Sequence, residues 1–221
     1  MKNFLNKNIF GKKTSPLSEQ LGNLFLYVCI YLVVMMLLFS LMYTAVLVDG
    51  TSMENTYHDE DVLYYLPSAD YTYGDVIIVE VSKDHEIVKR VVGLEGDRIS
   101  FDVLNNNGTL VYQLMVNDKV VIEPYIKSIA GNSNTYDNMF GGDIDSLIRK
   151  TPEKVNKVSG RYEYVVGTDE VFALGDNRGV SVDSSVYGAF SKDQIKGRVD
   201  FFVEKDDNTL LSLFKQFFWP F

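Results

Sequence analysis

Between Leu21 and Val48 the chain runs for 28 residues without one charged side chain. About 20 such residues cross the hydrocarbon core of a bilayer, so the run is long enough for one helix with some tilt or an overhang into the interface. The apolar stretch of a cleaved secretory signal is usually only about 7–15 residues, so this run reads as a retained anchor. Lys12 and Lys13 precede it and Asp49 follows it. Basic residues favour the cytoplasmic side, which puts the N-terminus in the cytoplasm and everything after Val48 outside. At 221 residues the chain has room for this anchor and one sizeable domain.

The chain beyond the anchor is acidic. The first 20 residues hold Lys2, Lys7, Lys12 and Lys13 against Glu19, which leaves 17 basic and 29 acidic residues downstream, a net of −12. That balance argues against nucleic acid as a partner, because nucleic acid selects basic surfaces. The single cysteine, Cys29, lies inside the apolar run. No disulfide can form within one chain, so the outer domain must rely on its core.

The outer part reads as mainly β. Val76–Val81 and Ile87–Gly93 are β-branched runs, and the polar link 82–86 suits a hairpin loop. Thr109–Val116 and Val120–Ile126 suggest a second hairpin turning at Asn117-Asp118. Tyr162–Val166, Val171–Leu174 and Ile195–Val203 are further strand candidates. Residues 127–160 shift to Asn, Ser, Gly and Asp and read as a mobile loop, with room for a short helix near Ile144–Arg149. The expected organisation is a basic N-terminus at 1–20, a transmembrane helix at 21–48, a β-rich domain at 49–203 and an apolar tail at 204–221. The tail, rich in Phe and carrying the only Trp, suits packing on the domain or resting in a membrane interface.

Three stretches offer chemistry. Ser52 stands four residues beyond the apolar run, within about 14 Å of it even when extended. Gly50 before it allows a tight backbone, although on this stretch alone a plain linker from an anchor to a soluble domain is the favoured reading. In a strand, Lys89 shares a face with Ile87 and Val91, and Arg90 shares the other with Val88 and Val92. One of the two cations must therefore face the more buried side of a half-buried strand. A buried lysine loses the hydration of its charged form, its pKa falls, and the neutral amine becomes a usable general base. An isolated lysine more often snorkels at the surface. Gly175–Ser185 is dense in small and acidic residues, as in a turn. Its Asp176, Asn177 and Asp183 offer oxygens to calcium, but no glutamate stands at the twelfth position of an EF-hand loop. His58 and His85 lack metal-ligand spacing and read as surface residues.

Taken together these stretches resemble the bacterial type I signal peptidases, membrane-bound Ser/Lys proteases. Gly50-Thr51-Ser52-Met53-Glu54-Asn55-Thr56 is similar to that family's box around its nucleophile, usually G-x-S-M-x-P-T. Gly74-Asp75-Val76-Ile77-Ile78-Val79 resembles its G-D-apolar strand. Lys89-Arg90-Val91-Val92-Gly93-Leu94-Glu95-Gly96-Asp97 resembles the box around its base. Gly175-Asp176-Asn177-Arg178, Ser181, Asp183-Ser184 and Gly188 resemble its last box, G-D-N-x-x-x-S-x-D-S-R…G. Asn55 stands where proline is usual, and Ser185 where arginine is usual. The partner of Asp183 is thereby left open, with Arg178 and Arg90 as substitutes. Gly50 holds a place where some relatives carry an oxyanion-hole serine.

The resemblance implies a β-rich protease domain with Ser52 as nucleophile and Lys89 as base, and with no cofactor and no metal. It implies Ser181 orienting the Lys89 amine, with Asp176, Asp183 and Arg90 in structural support. The Ser52 N–H would be the oxyanion donor, with a neighbouring amide or the Thr51 side chain. Gly50, Thr51, Met53 and Ile87 are the candidate substrate contacts. The implied partners are signal peptides of exported pre-proteins carrying small residues at the first and third positions before the cut, the lipid bilayer, and the secretion machinery. The implied location is the cell membrane, single-pass, with the protease domain outside. A repressor-type Ser/Lys autoprotease is opposed by the anchor. A catalytically degenerate, membrane-tethered binding or assembly protein is the alternative, and cleavage of a pre-protein separates the two.

Overall fold

The computed structural model describes residues 16–54, 56–83, 85–106, 109–126, 150–158 and 161–205. The chain divides into two units, Met1–Met42 and Tyr43–Phe221. The described part of the first is a single helix, α1 (Pro16–Met42). Proline is accommodated in a first helical turn because its missing N–H has no partner to lose, so the helix begins at Pro16 rather than Leu21. Its 27 residues rise about 40 Å, more than the ~30 Å hydrocarbon core of a bilayer. Leucine, phenylalanine, tyrosine and methionine are exposed along it, and by length and composition it can cross a membrane.

The helix ends at Met42, not at Val48 as the uncharged run suggests. Thr44–Leu47 is instead strand β1, paired antiparallel with β2 (Val62–Pro67) from Thr44 opposite Tyr65 to Leu47 opposite Val62. A lipid-facing helix and a sheet-edge strand can both be free of charge, so the run hides the change. The β-branched Thr44 and Val46 suit the strand.

The second unit is built from two antiparallel sheets. Its further strands are β3 (Val76–Ser82), β4 (His85–Gly93), β5 (Arg98–Asn106), β6 (Thr109–Val116) and β7 (Lys119–Val120). They continue with β8 (Val155–Val158), β9 (Arg161–Val165), β10 (Glu170–Leu174), β11 (Phe190–Ser191) and β12 (Ile195–Val203). A one-turn helix, α2 (Ser184–Tyr187), precedes β11. One sheet has seven strands in the order β1-β2-β12-β3-β4-β10-β11, the other five in the order β7-β6-β5-β9-β8. The mainly β expectation therefore holds, with an apolar helix before it.

β3 shows why the larger sheet is stable. Its run of Val76, Ile77, Ile78 and Val79 is buried on both faces. Val76 and Ile78 join a cluster with Val48, Met53, Tyr57, Leu63 and Tyr65. Ile77 and Val79 join another with Val91, Val171, Ala173 and Phe190. A central strand covered on both sides needs such an unbroken apolar run. A third cluster of Val92, Ile99, Leu114, Tyr164, Val166, Phe172 and Leu174 draws on strands of both sheets.

The β3–β4 hairpin is tighter than the expected 82–86 link, since Ser82 already pairs with His85. The second hairpin turns at Asn117 and Asp118, whose φ values of 52° and 63° fit a primed turn. Its return strand is only Lys119–Val120, and residues 121–126 leave the sheet. The long-loop expectation for 127–160 is corrected at its end, where Val155–Val158 pairs with β9. Asn55, residues 127–149 with the suggested short helix, residues 1–15, and the tail from 206 onward lie outside the described residues.

Candidate active site

Ser52 sits on a turn that the sequence around it constructs. Gly50 has φ of +89°, a left-handed conformation that glycine adopts without a Cβ penalty. Its N–H donates to Asp59 Oδ1 at 2.7 Å. Val48 and Met53 on either side are buried, and the Met53 carbonyl accepts the N–H groups of Thr56 and Tyr57 at 3.0 and 2.9 Å. The serine is thus presented between two core anchors.

Lys89 reaches Ser52 from β4. β10 pairs with β4 from Leu174 opposite Arg90 to Phe172 opposite Gly93. Among the described residues, the His85–Lys89 part of β4 has β3 on one side and no strand on the other. Lys89 Nζ lies 2.8 Å from Ser52 Oγ and donates to the Val88 carbonyl at 2.7 Å. The residue is only 2% exposed. Burial pushes the amine down from 10.5 to about 8, against the opposing pull of the Asp183 and Asp176 carboxylates. The strand does not choose between its two cations, because Arg90 is buried as well.

Arg90 is sheltered differently. Its Nε and Nη2 donate to the two Asp176 oxygens at 2.9 and 2.6 Å, and its Nη1 to the Gly74 carbonyl at 2.7 Å. Thr56 Oγ1 adds a third donor to Asp176 at 2.5 Å. These bonds tie the boxes around Ser52, Gly74, Lys89 and Gly175 into one cluster. They also engage both Asp176 oxygens, which does not suit a calcium loop.

The loop after β10 holds the serine turn through its backbone. Asn177 N–H donates to the Ser52 carbonyl at 3.0 Å, and Asn177 Nδ2 to the Thr51 carbonyl at 3.0 Å. Gly175 is what lets the two segments meet. A Cβ there would stand 2.1 Å from Ser181 Oγ and 2.5 Å from the Ser52 carbonyl oxygen. Ser181 is 1% exposed, and its hydroxyl has no hydrogen-bond partner among the described residues. The expected Ser181–Lys89 bond is therefore not formed; Ser181 packs against Gly175 while the amine turns to Ser52 and Val88.

Asp183 resolves the open question at Ser185. Neither arginine pairs with it: Arg90 takes Asp176, and Arg178 takes Glu123. Asp183 instead caps α2, accepting from the N–H and hydroxyl of Ser185 at 3.0 and 2.8 Å and from Gly175 N–H at 2.8 Å. A serine hydroxyl is one of the donors at this carboxylate.

A cavity of about 120 Å³ opens beside the pair, lined by residues 46–49, Ser52, Met53, Ile78 and residues 85–89. Ile87 and Met53, two of the candidate substrate contacts, border it, and Met53 is also core. Gly50 and Thr51 do not line it; the one shapes the turn and the other anchors Asn177. His58 is exposed and lies 3.8 Å from Asp61. His85 is exposed at the cavity rim. Sequence reasoning missed Glu123 and Tyr125, which no motif marks, and the bonds of Asn177 and Thr56, which lay inside recognised boxes.

A protein-family model described as signal peptidase, peptidase S26, matches residues 21–204. Signal peptidase I of Bacillus caldolyticus is 31% identical over 182 residues, covering 80% of this chain and 86% of that one. Signal peptidase I P of Bacillus subtilis subsp. natto is 29% identical over 201 residues, covering 88% and 92%. Signal peptidase IB of Staphylococcus aureus strain Mu50 is 32% identical over 129 residues, covering 58% of each. With the Ser52–Lys89 cluster inside the matched span, the chain belongs to the signal peptidase family, peptidase S26.

Proposed function

We propose that the protein is a membrane-bound serine endopeptidase that removes signal peptides from exported pre-proteins by a Ser52/Lys89 mechanism. The observation that carries this is the 2.8 Å approach of a buried lysine amine to a serine hydroxyl on a fixed turn. With the amine neutral, the hydroxyl donates to Nζ, and Lys89 takes the proton as Oγ attacks the scissile carbonyl. The new ammonium then protonates the leaving amine. Water attacks the acyl-enzyme with Lys89 again as base. The Ser52 N–H, aided by a neighbouring amide or the Thr51 hydroxyl, stabilises the oxyanion. The Val88 carbonyl holds the amine on its far side. Asp176, Arg90 and Asp183 keep the loop in place.

The edge of β4 from His85 to Val88 that faces away from β3, unpaired among the described residues, supports an extended substrate adding as a strand. The cavity of about 120 Å³ beside it is small, which suits small side chains near the cut. The helix α1 supports a single-pass anchor in the cell membrane, and the lysines before it favour a cytoplasmic N-terminus with the β domain outside. Lipid and the secretion machinery are then natural neighbours. The test is cleavage of a reporter pre-protein by the purified full chain in lipid vesicles. The parent is expected to release the signal peptide, and Ser52→Ala and Lys89→Ala are expected to lose this while keeping parent-like circular dichroism. Processing by either variant removes the dyad. A folded parent that binds the pre-protein without cutting it would leave a tethered binding protein.

A further inference from the structure

The loop that grips Ser52 is itself held from a direction that no sequence motif indicates. Glu123 follows β7 on the five-strand-sheet side and is 0% exposed; Arg178 in the loop is 7% exposed. Both guanidinium ends of Arg178 meet both Glu123 oxygens, Nη1 with Oε2 at 3.0 Å and Nη2 with Oε1. Arg178 Nε donates to the Gly175 carbonyl at 3.0 Å. Tyr125 O–H donates to Glu123 Oε1 at 2.9 Å, and its ring lies under the Arg90 guanidinium, 4.0 Å from the ring centre. Tyr125 therefore bridges two forked ion pairs, Arg178–Glu123 and Arg90–Asp176. Together they clamp residues 175–178 from both sides. That short stretch is the one whose Asn177 holds the Thr51 and Ser52 carbonyls.

We propose that Glu123 is a positioning residue: through Arg178 and the Gly175 carbonyl it sets the loop that holds the Ser52 turn at its attacking distance. The inference rests on the reading of Ser52 as nucleophile. A planar guanidinium satisfies a carboxylate with two nitrogens and still offers Nε to the carbonyl; an ammonium is a point charge and cannot span both. A displacement of the nucleophile by a fraction of an ångström is felt in the chemical step and not in substrate binding.

The test compares Arg178→Lys and Glu123→Gln with the parent in the full-length protein in vesicles, using one pre-protein substrate. Arg178→Lys keeps the charge pair, so a merely structural ion pair tolerates it. Positioning through Nε does not. Both variants are expected to show kcat lowered by about ten-fold or more with KM unchanged. Parent-like kcat in Arg178→Lys overturns the proposal, as does a loss confined to KM. Where Glu123→Gln fails to fold, Arg178→Lys alone decides. Parent cleavage and its loss in Ser52→Ala are measured alongside. If either of these fails, the nucleophile reading falls, and it does so separately from the brace.

Discussion

If Lys89 is the base, as proposed, its burial costs stability while it serves activity. Below about pH 8 it is protonated in the folded and the unfolded chain alike, and the folded state bears the full cost of burying the charge. Between about 8 and 10.5 the unfolded chain still holds a proton that the folded one has lost, so stability rises with pH across this window. The displacement from 10.5 to about 8 corresponds to roughly 3 kcal/mol as an upper figure. Lys89→Met should therefore unfold at higher denaturant than the parent at pH 6, and the gain should shrink as the pH is raised above 8. Activity, if Lys89 is the base, rises along the same titration. The base must be neutral, so cleavage by the parent should climb as pH passes about 8 and level off above it. Lys89→Arg should be inactive throughout, because a guanidinium stays protonated. A pH-independent rate in the parent, or no stability gain in Lys89→Met at pH 6, removes the neutral-lysine base. Ser185 shows the same economy of local contacts on a smaller scale: its hydroxyl and N–H both serve Asp183, where arginine is usual in the resembling box.

Among the elements, the meeting of the loop after β10 with the serine turn is the most exacting. Nothing about Gly175's backbone demands glycine, yet its side-chain position is already filled by Ser181 Oγ and the Ser52 carbonyl oxygen at 2.1 and 2.5 Å. Gly175→Ala must push one of them away. Movement of the carbonyl would break its bond from Asn177 N–H and shift the nucleophile. Cleavage should fall by about a hundred-fold while the two sheets keep their circular dichroism, and near-parent cleavage would mean that the loop relaxes without moving Ser52. This contact explains why the boxes could be read in sequence while their geometry could not. Val76–Val81 and Ile87–Gly93 were legible because short runs rich in Val and Ile, joined by a short polar link, suit a hairpin. β5 (Arg98–Asn106) was not, since its Arg, Ser, Asp and Asn residues dilute the pattern and its stability comes from pairing with β6 and β9. The Thr44–Leu47 strand was invisible inside an uncharged run. Glu123 and Arg178 lie 55 residues apart with no periodicity to relate them, and only the packing of β7's exit against the active loop reveals the pair.

At the scale of the whole molecule, the end of α1 changes where the anchor's influence can be tested. The β domain begins at Tyr43, directly after the last helical residue, and its first strand is already committed to β2. An insertion at 48–49 would enter the segment where Val48 N–H is bonded to Asp61 and Gly50 N–H to Asp59, and would damage the site itself. The informative position is between Met42 and Tyr43. If α1 anchors the protease in the bilayer as proposed, both it and a signal peptide are confined to one surface. Confinement raises their effective concentration and restricts the orientations they sample. A flexible Gly/Ser linker of about ten residues has a root-mean-square span of roughly 17 Å, enough to lift the active site off that surface without touching the turn at Ser52. Cleavage of a membrane-embedded pre-protein by the linker variant should therefore drop relative to the parent in the same vesicles. Cleavage of a short soluble peptide should change much less, because that substrate reaches the site from bulk water in either protein. Equal losses on the two substrates would show that the junction at Tyr43, whose hydroxyl donates to Asp200 of β12, matters to the fold of the domain. Unchanged cleavage of both would mean that confinement to the membrane contributes nothing to the reaction.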